Sequence, residues 1–342
     1  MGTSRGTKPA TIGVVAARAG ASVASVSRVL NGDERVSPEM RARVEAACRE
    51  TDYTPNAAAR SLRGRTTRQI SLVVEDIGNP AYVEAMRSLQ DLAREHGMRL
   101  LVESTYGQLE EELKVMHDLG ERYVDGVVLA STRFADRLTR ELRNPAVPVV
   151  VIGSAPRDVQ VDSVGADARG GAREAATHLR EQGCARIAMV NGPVDTLPAT
   201  SRLEGFRDGL GPDADPPVVH AEAFTHAAGY AATTRLLDSG AAPEGILCAN
   251  DQLAIGTLNA CVDRGLRVPD DVALVGMDNS RDAGICRPRL TSVDLRFADR
   301  GRLAGQMLLD RIQGRYDGAP RRQSVYTELV VRGSSDRGGA AA

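Results

Sequence analysis

Arg202, Asn250, Asp251 and Asp278 are the residues of this 342-residue chain best suited to recognising a small molecule. A guanidinium, an amide and a carboxylate together give the mixture of donors and acceptors that a polyhydroxylated ligand needs. Asp251 places a second carboxylate beside Asn250. Tyr82 and Phe224 can add the flat apolar contact that sugar or base rings take. Core packing is the competing account of both rings, and a turn cap is the competing account of Asp278, which Asn279 and Ser280 follow. A different chemistry is possible near the start of the chain. There Ala24, Ser25 and Arg28 share one helical face, and an exposed arginine fork fits the O6/N7 edge of guanine.

The elements that must hold Arg28 are legible. Val26, Val29 and Leu30 recur at i, i+3, i+4, the apolar stripe of a helix packed on a partner. Ser22 stands before this helix as an N-cap and Gly32 after it as a stop. Val15, Ala16 and Ala19 form the apolar face of a preceding helix, and Gly20 supplies a tight turn, which together predict a helix-turn-helix. Ser37-Pro38 opens a third helix with Met40, Val44, Ala47 and Cys48 inside. Next, Asn56 can cap a short helix from Ala57 to Arg63 that Gly64 ends. This segment carries an exposed Leu62 among Arg60, Arg63, Arg65 and Arg68. It is too short and polar to be stable alone. It is either a plain linker or a hinge that becomes helical against DNA.

From Ile70 the pattern changes. Apolar runs at 70–76, 99–105, 125–131, 147–154, 186–192, 245–251 and 272–278 alternate with amphipathic helical segments. Continuous apolar strands separated by such helices predict parallel sheets covered on both faces, and their number predicts two α/β lobes. Several runs end in a polar residue: Asp76, Ser131, Ser154, Asn191, Asn250/Asp251 and Asp278. Strand carboxyl ends face the ligand crevice in open α/β sheets, so a cleft between lobes lined by these residues is expected. Residues 1–10 and the stretch after Arg332 are expected to be disordered tails.

Composition narrows the classes. Residues 1–68 carry twelve Lys/Arg against six Asp/Glu, whereas the remainder carries 31 against 39. A basic end on an acidic body suggests that only the end meets a polyanion; an ordinary charged surface is the alternative. Five widely spaced cysteines lack metal or disulfide spacing and read as reduced thiols of a cytoplasmic protein. The first residues hold no apolar run, so neither a secretory leader nor a membrane span is expected. Phosphate-loop, GxGxxG and GxSxG signatures are missing, and the five histidines are scattered, so neither an enzyme nor a bound cofactor or metal is expected. Two other classes remain open: a sugar-binding receptor without a DNA role, and an α/β enzyme acting on a nucleotide or sugar.

Taken together the chain resembles the lac repressor (LacI/GalR) family of bacterial transcription factors over nearly its whole length. AGASVASVSRVLNG, VSPEMRARVEAACRETDYTPN and AAARSLRG follow in the family's order and spacing. DIGNPAYVEAMRSLQDLAREHG, VDGVVLAS, ATSRLEGFRDGL, CANDQLAIG and VALVGMDNS continue it. The resemblance implies a helix-turn-helix domain at 11–54, a hinge at 55–68 and a two-lobed, periplasmic-binding-protein-like effector domain at 69–332. One lobe spans about 69–167 and 296–324, the other about 168–294 and 325–332. Val23, Ala24 and Arg28 match base-reading positions, and Thr11, Ser22, Ser25 and Asn31 match phosphate contacts. Asn56, Ala59 and Leu62 belong to the hinge, with Leu62 matching a leucine that wedges into the minor groove. Arg202, Asn250 and Asp278 match effector contacts, and Ala81, Tyr82 and Phe224 match ring-packing positions. Gly13 and Val14 depart from the usual first helix, Ala21 replaces a Val, and Leu295 stands where many members place a Gln. No tetramerising leucine heptad follows, which favours a homodimer on a palindromic operator. The implied effector is a saccharide.

Overall fold

In the computed structural model, residues 10–30, 33, 35–53, 66–119 and 123–338 are described. They fall into two compact units, within Met1–Thr67 and Arg68–Ala342. Asn31, Gly32, Asn56, Ala59 and Leu62 lie outside the described residues, as do residues 1–9.

The first unit holds α1 (Ile12–Ala19), α2 (Val23–Leu30) and α3 (Pro38–Glu50). Val15, Ala16, Ala19, Val26, Val29, Val44 and Ala47 form its core. Gly20 ends α1 in the left-handed region at φ 56°, where a side chain would be strained. The Arg43 guanidinium donates to the Ala19 and Gly20 carbonyls and so ties α3 to that turn. α1 and α2 meet at 103°, within the range of helix-turn-helix pairs. Ser37 caps α3 by accepting from the Met40 amide, with Pro38 at the first helical position.

The second unit contains two six-stranded sheets. The strands are β1 (Gln69–Val74), β2 (Arg99–Ser104), β3 (Gly126–Ala130), β4 (Val149–Ile152), β5 (Asp162–Ala166), β6 (Ile187–Asn191), β7 (Val218–His220), β8 (Gly245–Cys248), β9 (Ala273–Met277), β10 (Thr291–Asp294), β11 (Arg322–Val325) and β12 (Glu328–Val330). Their orders are β11-β5-β4-β3-β1-β2 and β12-β10-β9-β8-β6-β7. All pairings are parallel except β10 with β12. Each apolar run of the sequence forms a strand, and all but the edge strand β2, whose residues are half-buried or exposed, are buried on both faces as interior parallel strands are. The covering helices are α4 (Pro80–Glu95), α5 (Leu109–Asp118), α6 (Asp136–Arg143), α7 (Ala168–Glu181), α8 (Leu197–Leu210), α9 (His226–Asp238), α10 (Asp251–Asp263), α11 (Arg281–Ile285) and α12 (Phe297–Ile312).

The chain passes between sheets three times: from β5 into α7, from β10 into α12, and from β11 to β12. Leu295 sits at the second passage. Among the described residues no single helix is long and apolar enough to cross a membrane.

One expectation is corrected. The segment after Arg332 does not begin as a loose tail. Ser334 and Ser335 are fully buried. Ser334 accepts from the Thr291 amide (2.8 Å) and donates to the Leu274 carbonyl (2.6 Å), while the Ser335 hydroxyl bonds Thr291 and His178 (both 2.7 Å). Arg337 donates to the carbonyls of Pro269, Glu244 and Asp271. Polar residues that look solvent-loving in composition here satisfy backbone groups beside β9 and β10.

Candidate functional sites

The α2 surface comes first. Val26 and Val29 turn inward, leaving Val23, Ala24 and Arg28 exposed on the other face. Ser22 closes the helix start: its Oγ accepts from the Ser25 amide (3.0 Å) and shares a bond with the Ser25 hydroxyl (2.9 Å). Thr11 is exposed at the start of α1 and makes no side-chain cap. Arg28 forms no ion pair among the described residues, so its fork is available to an outside partner. The geometry brings Ser22, Val23, Ala24, Ser25 and Arg28 onto one short helix.

The second site is a cleft at the carboxyl ends of both sheets. Strand order reverses around β1 and β3 in one sheet and around β6 and β8 in the other, and a crevice is expected at such switch points. A chamber of about 230 Å³ opens there, lined by Glu75, Asp76, Tyr82, Thr132, Arg202, Phe224, Asn250, Asp278 and Phe297. Arg202, on α8, is 7% exposed. It donates to the Ala249 carbonyl (2.5 Å), lies 5.8 Å from the Phe224 ring centre, and pairs with Asp278 at 3.6 Å. That separation is an ion pair and not a hydrogen bond, and Asp278 Oδ1 and Arg202 Nε have no hydrogen-bond partner. Both therefore keep hydrogen-bonding capacity for a ligand. Asp278 also holds φ 113°, a conformation rare for a side chain other than glycine, at the end of β9. An unpartnered oxygen at a strained position is not how a turn cap looks.

Burial pushes the Asp278 carboxyl above its ordinary range, and the Arg202 and Arg300 guanidinium groups pull it back only in part. Asp251 is also raised, by burial and by the nearby Asp278. Yet Asp251 does not line the chamber. Its oxygens accept from the Ser280 amide (2.7 Å) and the Ser292 hydroxyl (2.6 Å), so it ties the loops after β8 and β9 together. Asn250 lines the chamber while capping α10: its Oδ1 accepts from the Leu253 amide (2.9 Å) and its Nδ2 donates to the Phe224 carbonyl (3.3 Å). Tyr82 stands edge-on to Phe297, centres 5.7 Å apart. Tyr82 and Phe224 each pack on a core cluster and face the chamber, so both accounts of them hold at once. A Cβ on Gly192 would lie 2.2 Å from Phe224, so glycine there lets that ring take its place.

Ala81 does not reach this chamber; it lines a neighbouring depression with Asp294 and Asp299. Asn191 is fully buried and spends its side chain on Ala199 and Gly192. Ser131 and Ser154 line an inner chamber of about 110 Å³ with Leu295, Ser201 and Arg300. Sequence reasoning missed Arg300 and Phe297. Both lie beyond the last apolar run read at 272–278, and a cationic residue at a buried position was the only signal Arg300 offered.

Comparison with known proteins fits both sites. Residues 11–56 match the family described as "Bacterial regulatory proteins, lacI family", and residues 176–335 match a "Periplasmic binding protein-like domain". The ribose operon repressor of Halalkalibacterium halodurans is 34% identical over 96% of this chain and 98% of its own. The chain belongs to the lacI family of bacterial regulatory proteins. The lac repressor dimer bound to operator and the anti-inducer ONPF superimposes with TM-score 0.83 at 28% identity, over 96% of this chain and 99% of the other. The complex of the transcriptional regulator CelR with cellobiose gives TM-score 0.72 at 34% identity, over 95% of this chain and all of that one. These likenesses span both units of this lacI-family chain, so its N-terminal helices and its two-sheet body belong to one regulatory architecture.

Proposed function

We propose that this lacI-family protein is a sequence-specific DNA-binding repressor, a homodimer on a palindromic operator, controlled by a small effector in the cleft. It acts in the cytoplasm and does not turn over its ligand. The observation that carries this reading is the pairing of two sites in one chain. An exposed α2 face presents Arg28, and a cleft at two switch points holds a buried Arg202–Asp278 pair with unpartnered polar atoms.

Arg28 reads a guanine, and Val23 and Ala24 give apolar contact to thymine methyls. Thr11, Ser22, Ser25 and Asn31 bond phosphates and set the register. Asn56, Ala59 and Leu62 act in the hinge, where Leu62 wedges into the minor groove. In the cleft, Arg202, Asn250 and Asp278 bond a polyhydroxylated effector, and Tyr82 and Phe224 cover its apolar face, with Ala81 at a third ring-packing position. A saccharide is supported by the cellobiose complex of CelR and the ribose operon repressor among the relatives. The effector biases lobe closure, and closure is coupled to hinge order.

The test is a selection of bound duplexes from a random pool with the full chain, repeated with a panel of sugars. Enrichment of a palindrome whose retention one sugar alters is the expected result. No enrichment under any condition overturns the reading, and consumption of a sugar overturns the non-catalytic assignment.

A further inference from the structure

Arg300 is a buried cation with no ion-pair partner among the described residues. It sits in the first turn of α12 and is 7% exposed. Its guanidinium lies 4.5 Å from the Phe297 ring centre, its Nε has no hydrogen-bond partner, and it forms no ion pair among the described residues. The other interior arginines behave differently. Arg311 and Arg321 clamp Asp162, and Arg202 bonds a carbonyl and faces Asp278. Arg311 and Arg321 are satisfied by Asp162, whereas the Nε atoms of both Arg202 and Arg300 are unbonded and Arg300 alone of these four has no carboxylate in ion-pair reach among the described residues. An unpaired interior charge is costly to keep, and residues held at such cost concentrate at binding sites. Burial even lowers the Arg300 pKa to about 10, against the pull of Tyr82 and Asp278.

The charges of the cleft are also segregated. The outer chamber is lined by three carboxylates, Glu75, Asp76 and Asp278, with one arginine. The inner chamber is lined by Arg202 and Arg300 and by no carboxylate. Ser154 and Ser201 add hydroxyl donors there, while Leu295 offers no hydrogen bond. Its volume of about 110 Å³ is many times the ~10–15 Å³ that admits one water. It therefore has room for a carboxylate or phosphate group, with the outer chamber left for a polyol body. Guanidinium groups are the side chains that bind such anions in two-pronged fashion.

We infer that the effector is an anionic sugar, its carboxylate or phosphate seated in the inner chamber against Arg300 and its hydroxyls in the outer chamber. This inference rests on the effector-controlled reading above and specifies the ligand class of that cleft. Arg300 thereby selects charged over neutral sugars.

The test compares the full chain with Arg300→Met, which keeps bulk and removes charge, using inorganic phosphate and acetate as probes against chloride at matched ionic strength. The basic first unit also attracts anions, so the difference between the two proteins in thermal midpoint is the readout. Phosphate or acetate should raise the wild-type midpoint and act on Arg300→Met at least tenfold more weakly by concentration; Arg300→Lys should retain part of the effect if the methionine variant folds poorly. Which anion acts separates phosphate from carboxylate, and gluconate against glucose 6-phosphate repeats that comparison with the polyol attached. Equal shifts in both proteins, no shift from either anion, or tighter binding of glucose than of its charged derivatives overturns the inference. Operator selection by both proteins separates the failures: intact selection with no anion effect sinks this inference alone, and absent selection in the wild type sinks the reading beneath it.

Discussion

Arg133 and Asp195 clasp the cleft at its mouth. Arg133 follows β3 in one lobe and Asp195 follows β6 in the other, and they are joined by two bonds, Nε to Oδ2 at 2.7 Å and Nη2 to Oδ1 at 3.2 Å. The Leu197 amide donates to the Thr132 carbonyl (3.0 Å) beside them. Glu75, on the chamber wall, is 3.5 Å from the same guanidinium. A change in the chamber is thus one side chain away from the clasp.

The clasp should tune closure without being indispensable. Its side chains are 30% and 64% exposed, which puts the pair in the surface class of roughly 0.2–1 kcal/mol. Arg133→Ala should weaken effector binding by about 1.4- to 5-fold, the affinity equivalent of that range. A double-mutant cycle with Asp195→Ala should show that the two losses do not add. Additive losses would mean that the two side chains act separately.

The buried carboxyls of the cleft predict a pH dependence. Asp278 and Asp251 are held above the ordinary range chiefly by burial. The folded protein then binds these protons more tightly than the unfolded chain does. The stability they contribute is greatest below the ordinary carboxylate pKa of about 3.9 and falls as pH rises toward the raised folded value. Asp278→Asn should flatten the loss of thermal midpoint between about pH 4 and pH 7 and remove the effector response. An unchanged slope in the ligand-free variant counts against the assignment.

The elements that carry chemistry were the most legible in sequence, because parallel strands and capped helices write their burial as unbroken apolar runs and cap residues. Val26 with Val29, and Ser37-Pro38, announced their helices this way. β5, β10 and β11 were hidden: DSVGA, TSVD and RQSV are short and polar, and their order comes from neighbours such as β4 and β9. The same reason hid the docking of Ser334 and Ser335. In the cleft, Asn250 and Asp278 were visible from their places at strand ends, and Arg202, inside α8, for its guanidinium. Asn191 and Asp251 share that signal and yet turn inward, since a polar strand-end residue can serve its own loops as readily as a ligand. Arg300 was hidden because its helix lies beyond the last run read, and no sequence pattern reports an unmet charge.

Asp162 anchors the first lobe. Its side chain is fully buried and joined to Arg311 and Arg321 at 2.8 and 2.7 Å. Burial pushes its carboxyl up, but the bonds from the two arginines outweigh this and hold it below the ordinary range. Its contribution is therefore present above the unfolded carboxylate pKa and is lost as pH falls through the folded value. Asp162→Ala should cost roughly 3 kcal/mol, the low end for breaking a buried pair, because both guanidinium groups keep some contact with water. Denaturant unfolding at pH 7 and pH 3 checks this: the deficit should shrink at the lower pH, and a deficit independent of pH would point to lost packing.

On the proposed function, Arg28 decides how the operator is read. The exposed face of α2 is otherwise poor in hydrogen-bond donors, since Val23 and Ala24 carry none in their side chains and the Ser22 and Ser25 hydroxyls already bond each other. One guanidinium must then supply most of the direct discrimination. Arg28→Ala should cost about 1–3 kcal/mol on the operator and relax preference at one base pair per half-site. Arg28→Lys should recover the charge and the slope of affinity against salt, but not the two-pronged fit. Competition between the selected palindrome and single-base variants measures both effects. Equal losses on every variant would place Arg28 on the phosphate backbone and leave the specificity to the hinge and to operator shape.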